Sequence, residues 1–385
     1  MTERFTIIGG GIAGLTTAIA LQKIGITATV FEAAPCYKTV GAGLGLGANA
    51  IKAFWELSMA DEVVKHGRLL PAFTIYSQQG KQLTKTDSRR MSEKFGVDNF
   101  TIDRTALQSL LLSKIDSKNI HTSKQVINIE RAEKSLTLTF SDKTTHQTDF
   151  LIVADGIHSA IRQLLIPGSK PRYAGYTCWR AIIDNSNFKL SETSETWGSK
   201  GRFGIVPLAN NKIYWFACIN AAQNDIVMKQ FSTNDLLNHF KDFHGPIPDI
   251  IAATKNDALI WGDILDIEPI NKYAFENILL VGDAAHATTP NLGQGACQAI
   301  EDAVILAAEI SNNPDIKKAF QAFEKRRLER THYIINNSAK IGRLAQLENR
   351  TLISIRNFIL RLLPATFNEK QLEKLYTVDL KWKKS

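Results

Sequence analysis

The sequence predicts an α/β fold, in which a nucleotide-binding domain built on a parallel sheet carries an inserted β-sheet domain and ends in C-terminal helices. Three observations predict it. Phe5-Thr6-Ile7-Ile8 is a short apolar run followed by Gly9-Gly10-Gly11-Ile12-Ala13-Gly14 and then by a helical pattern. A second apolar run, Phe150 to Ala154, stops at Asp155-Gly156, again before a helical pattern. A third, Ile278 to Val281, stops at Gly282-Asp283. After a loop containing Pro290, a helical pattern opens with Gly293 and continues through Ala296, Ile300, Val304 and Ala307.

The first segment carries the clearest chemistry. Gly9 permits a tight turn, Gly11 lets backbone approach a pyrophosphate, and Gly14 lets helix pack closely on strand. Ile12 and Ala13 open that helix, which repeats its apolar residues at Leu15 and Ile19 and stops at Gly25. A second strand, Thr27 to Phe31, ends at Glu32-Ala33, placing an acid 21 residues after Gly11, where it can accept hydrogen bonds from an adenosine ribose. Strand, turn, helix and acid together predict dinucleotide binding, and Glu32 favours a ribose without a 2′-phosphate. Only one such fingerprint exists. The run Gly41 to Gly47, which includes Gly43, lacks the spacing and reads as flexible, close-packed backbone beside a bound cofactor or as a plain loop.

In the third segment the helix N-terminus faces whatever the loop holds. Its free N–H groups suit a ligand that carries or develops negative charge, and Asp283 offers an acceptor for sugar-type hydroxyls. A purely structural strand, loop and helix is the competing reading.

Composition narrows the class. The chain has 385 residues, 44% hydrophobic and 22% charged, which suits a large, folded, enzyme-sized protein. The net charge of +8 is scattered except at Lys325-Arg326-Arg327, read as a solvated helix face, and at Lys381 to Lys384, read as a charged tail, so nucleic acid is not an expected partner. Cys36, Cys178, Cys218 and Cys297 form no C-x-x-C pair and no metal-ligand spacing with histidine, so they read as separate reduced thiols and no metal site is expected. A strand begins straight after Arg4 and no apolar run reaches membrane-spanning length; cytoplasm is the expected location.

Jointly the three motifs resemble the single-component FAD-dependent monooxygenases related to aromatic-ring hydroxylases. The resemblance implies a Rossmann-like FAD-binding domain of the para-hydroxybenzoate hydroxylase type. It places Arg104 on the FAD pyrophosphate, with Gln108 one turn further along. It also puts the backbone of Val126 against adenine, Asp283 on the ribityl chain, and Pro290, Gly293, Gln294, Gly295 and Ala296 along the isoalloxazine. Asp155 and Gly156 are implied to serve both FAD and a transient NADH or NADPH; Arg162 reads equally as structural. The implied reaction is flavin reduction by NAD(P)H, then oxygen transfer from O2 to an electron-rich ring through a flavin C4a-hydroperoxide.

Within the family the chain is most similar to the branch of urate hydroxylases and, more distantly, zeaxanthin epoxidases, through Tyr173 to Trp179, Arg202 with Tyr214, and His286 to Pro290. That likeness makes Arg202, Tyr214 and Pro290 the catalytic candidates: Arg202 to stabilise an anionic substrate, Tyr214 to orient it, Pro290 to stiffen the loop. A surface arginine and a core tyrosine are the alternatives. Cys178 stands where urate hydroxylases carry an amide and Asn291 replaces an aspartate, which argues against urate. His286 reads as a structural histidine.

Residues 1–70, 100–172 and 268–345 are expected to form the FAD-binding domain, 71–99 and 173–267 the substrate sheet, and 346–385 a helical segment. Trp179, Phe203, Tyr214, Trp215 and Phe216 are candidates to line a flat pocket, although strand packing explains most of them. Ile353 to Leu363 is either a helix packed on the body or a surface that meets a membrane or partner. The expected function is hydroxylation of a small aromatic or heteroaromatic molecule by a monomer or homodimer without stable membrane association. The alternatives are oxygenation of a lipophilic isoprenoid-like compound and a non-catalytic FAD-binding sensor.

Overall fold

The computed structural model describes residues 3–37, 42–95 and 100–380. A six-stranded sheet runs in the order Ala274–Phe275, Ile278–Leu280, Phe150–Val153, Phe5–Ile8, Ala28–Phe31 and Ile120–His121, parallel except at the first pair. Its three middle strands are continuous apolar runs because helices and a second sheet cover both faces. Helices Ile12–Lys23 and Gly295–Asn312 pack on it and on each other, and the latter is apolar for most of its circumference because nearly all of it is buried. At the first turn Gly9 has φ +106°, and a Cβ at Gly14 would lie 1.9 Å from the Gly9 carbonyl oxygen, so only glycine allows this strand and helix to meet.

The second large sheet has seven strands in the order Ile260–Ile267, Pro171–Asp184, Lys212–Asn220, Gly201–Leu208, Thr193–Gly198, Ala72–Ser77 and Gln82–Asp87. All neighbours are antiparallel except the Thr193–Gly198 and Ala72–Ser77 pair. Alternation decides its faces. Trp179, Phe203 and Trp215 point away from the nucleotide-binding side and pack with Phe240, Ile247 and Ile250 of two short helices, so they do not line the cavity between the sheets; Tyr214 and Phe216 have the opposite phase.

Several sequence expectations change. Gly41 lies outside the described residues, and Gly43–Leu46 is no loop but a strand paired with Phe100–Asp103. The helix expected from Gly293 starts at Gly295, because Gly293 is left-handed (φ +62°) and ends a short turn at Pro290–Leu292. Arg327 is not part of a solvated face. It is fully buried on the Ile316–Ala345 helix, bonded to Asp302, Glu301 and Gln298. Lys381 to Lys384 lie outside the described residues. The C-terminal region forms helices Arg350–Leu362 and Ala365–Tyr376. Among the described residues no helix is long and apolar enough to cross a membrane.

Candidate active site

Between the two sheets lies one cavity of about 1020 Å³. Gly11, Ile12 and Ala13 from the first turn border it together with Gly43, Arg104 and Gly156. Asp283, Pro290 and Gly293 to Ala296 form the adjoining wall, and Arg202 and Tyr214 face them from the substrate sheet. Gly9, Gly14, Glu32, Ala33, Gln108, Val126 and Asp155 do not line it. Gly9 and Gly14 are spent on packing, and Gln108 donates to the Gly10 carbonyl. Glu32 closes the second strand, accepting from the N–H groups of Gly10 at 2.7 Å and Ala34 at 2.8 Å. The segment before Val126 reaches the same strand end, where the Ser123 and Lys124 N–H groups donate to the carbonyls of Ala34 and Glu32 on either side of Ala33.

Local structure places the key groups. Asp103 caps the Arg104–Leu112 helix by accepting from Thr105 and Ala106, which presents Arg104 at its first position. Arg162 is buried and donates to the carbonyls of Ser169, Ala284 and Ile157, tying the Asp155 loop to the Asp283 loop; its role is structural. His286 is structural too. Its Nε2 meets the Asp302 carboxylate at 2.6 Å, and Asp302 also accepts from the Gly282 N–H and from Arg327.

Asp283 opens into the cavity, where its side chain is accessible. Desolvation by the surrounding protein pushes its carboxyl up, against the pull of His286 and Arg104. The Gly295–Asn312 helix has no side-chain cap, so its first N–H groups open on the cavity beside Asp283. A Cβ at Gly11 would meet nothing within 4 Å, so the turn borders open space. Oδ1 of Asp155 is buried without a partner. A cation at Arg104, an open glycine turn, a hydroxyl acceptor and a free helix N-terminus around one cavity suit a pyrophosphate, a polyol and a ring that gains negative charge. These residues fit FAD.

The family comparison agrees with that chemistry. The FAD binding domain family matches residues 2–327. The chain belongs to the single-component FAD monooxygenases, near the urate hydroxylase branch. It is 35% identical to the aurachin C monooxygenase/isomerase of Stigmatella aurantiaca, covering 93% of each chain. It is 28% identical to the 2-heptyl-3-hydroxy-4(1H)-quinolone synthase of Pseudomonas aeruginosa, covering 96% of this chain and 97% of that one. Klebsiella pneumoniae HpxO, solved with FAD and uric acid, superimposes with a TM-score of 0.88 at 28% identity, covering 96% of this chain and 95% of that one. This monooxygenase is thus an FAD-dependent hydroxylase of small aromatic or heteroaromatic substrates, in a family where NAD(P)H is the usual reductant.

On the substrate side, Arg202 is held by its Nη groups, while its Nε is buried without a hydrogen bond. It is buried, its Nη2 donates to Asn291, its Nη1 lies 3.5 Å from Glu195, and Tyr176 and Phe216 flank it. Tyr214 packs on Gly43. Arg180 has no carboxylate partner among the described residues, and its buried Nε makes no hydrogen bond. Cys178 and Cys218 are free thiols. They sit directly opposite each other on neighbouring strands, and the Cys178 thiol donates to the Trp179 carbonyl.

Sequence reasoning missed Arg180 and Glu195, whose only signal was alternation with Cys178 and Trp197 on the strands. It also missed the outer wall, where Ile359, Leu360, Leu363, Phe367 and Leu372 of the C-terminal helices close the cavity. The apolar run Ile353 to Leu363 was the signal there.

Proposed function

We propose that this monooxygenase hydroxylates a bicyclic heteroaromatic ring that bears an apolar substituent. The observation that carries this reading is the shape of the cavity. It runs without interruption from the Gly293–Ala296 loop, past Arg180 and Tyr214, to the apolar wall of the C-terminal helices. A ring with few polar atoms fits near the loop and an alkyl or prenyl chain fits the wall. Urate has no group for that wall, whereas a relative named for a heptyl quinolone makes a product with both parts.

When bound, FAD supplies hydride acceptance and the activation of O2. Arg104 would hold its pyrophosphate, Asp283 would accept from its ribityl hydroxyls, and the N–H groups at Gly295 and Ala296 would stabilise negative charge gained on reduction. Glu32 takes the ribose of the adenosine half. Pro290 lacks an N–H and stiffens the loop that lines the cavity.

Arg180 donates to a ring oxygen of the substrate, stabilising the electron-rich form that accepts oxygen, and Tyr214 orients the ring over Gly43. Arg202 acts through Asn291 as a positioning residue. The apolar walls, Phe73, Ile75, Met91 and Val206 among them, exclude water from the reacting centre. Substrate-stimulated NAD(P)H oxidation with a panel of quinolones, salicylates and purines tests the reading, with product mass as the readout. A quinolone-type product gaining one oxygen supports it; turnover confined to urate overturns it.

A further inference from the structure

We infer that the Arg350–Leu362 helix docks this enzyme on an anionic lipid surface, so that the cavity opens against the membrane. Leu352, Ile355, Phe358, Ile359 and Leu362 are 50%, 51%, 59%, 51% and 67% exposed. At helical spacing they fall in a single arc of about 120°. The helix presenting them is anchored. Beside the arc Arg356 is 3% exposed, donates to the carbonyls of Leu344 and Ala345, and lies 5.2 Å over the Trp197 ring. Leu344 and Phe367 extend the exposed patch. Scattered apolar residues on a surface need no explanation, but a contiguous arc on a fixed helix marks a contact surface.

Charge selects the occupant. Between residues 340 and 363 the chain carries Lys340, Arg343, Arg350, Arg356 and Arg361 against the single acid Glu348. Among the described residues Lys340, Arg343, Arg350 and Arg361 form no salt bridge with a carboxylate. An apolar arc bordered by unpaired cations is the pattern of a helix lying in a headgroup region. Attachment is peripheral, since no described helix is long and apolar enough to span a bilayer. The patch is also continuous with the cavity, because Ile359, Phe367 and Leu344 belong to both. A substrate whose chain partitions into lipid would therefore enter without crossing water. That purpose rests on the proposed substrate class; the docking itself does not.

The test is flotation of the full-length, FAD-loaded enzyme with phosphatidylcholine vesicles, with or without phosphatidylglycerol, at low and high salt. The expected result is at least about tenfold more enzyme on the anionic vesicles, reversed by salt. An Ile355→Ser/Phe358→Ser variant should lose at least about tenfold of that binding while keeping its FAD absorbance and melting temperature. Should that variant misfold, Arg350→Glu/Arg361→Glu leaves the apolar arc intact and should lose binding equally. Wild-type enzyme that ignores anionic vesicles overturns the inference, as does binding that neither variant reduces. Sedimentation velocity showing a dimer that the serine variant dissociates also overturns it and makes the face a contact between copies. None of these readouts uses substrate, so docking and substrate class fail separately.

Discussion

Nη2 of Arg202 donates to Oδ1 of Asn291 at 2.5 Å, a bond that joins the substrate sheet to the loop beside the flavin site. Tyr176 donates to the same oxygen at 3.1 Å. The Asn291 amide nitrogen in turn donates to Thr289 Oγ1 and to the Ser338 carbonyl, both at 2.8 Å. The asparagine is therefore used at both ends, and an aspartate there would place a carboxylate oxygen against the Ser338 carbonyl. Asn291→Asp should lower stability by about 1–3 kcal/mol, the cost of losing buried donors, despite a stronger contact with Arg202. Urea denaturation measures it, and an unchanged midpoint would show that the amide donors are dispensable.

Asp283 supplies a pH dependence. Desolvation holds its carboxyl above the ordinary value of 3.8, while hydroxyls donating to it favour the charged form. FAD binding is then coupled to proton release, so affinity falls as pH drops through the raised value and levels off above it. Titration of apoprotein with FAD across the acid range should show this slope, and Asp283→Asn should abolish it. Asp283→Ala should weaken FAD binding strongly while leaving the protein folded; unchanged affinity would remove the ribityl role.

Glu301 and Asp302 are fully buried against Arg327, with Arg330 and His286 completing the cluster. Burial pushes both carboxyls up, but the cations outweigh it and hold them below 4.5 and 3.8 respectively. Their depressed values contribute stability that is fully present above those ordinary values and is lost as pH falls through the folded-state ones. Arg327→Met should cost about 3–5 kcal/mol, because it strands buried charge. Thermal melts at neutral and acid pH check both points, with the variant losing part of the acid sensitivity.

The nucleotide-binding half was legible because its constraints are local. Gly9 to Gly14, Glu32, the Asp155 turn and the Gly282-Asp283 turn each combine an apolar strand with the residue types its end requires, and such patterns survive without tertiary information. The substrate half was legible in strands but not in faces. Trp179 and Cys178 are neighbours with opposite fates, and only pairing with Lys212–Asn220 decides which enters the cavity. Arg327 shows the same limit, since its charge run reads as solvated until Asp302 and Glu301 are brought to it from another helix. Arg180 and the inner side of the Arg350–Leu362 helix gained their place through contacts remote in sequence.

The central claim is that the cavity takes a heteroaromatic ring with its apolar chain against the C-terminal helices. Turnover of 2-alkyl-4-quinolones of increasing chain length, with ¹⁸O2 and mass detection of product, tests it most directly. One labelled oxygen is expected in the product, with a kcat/KM that rises about fourfold per methylene until the wall is filled, the worth of burying about 0.8 kcal/mol each. A rate indifferent to chain length, or product formed only from urate, would contradict it.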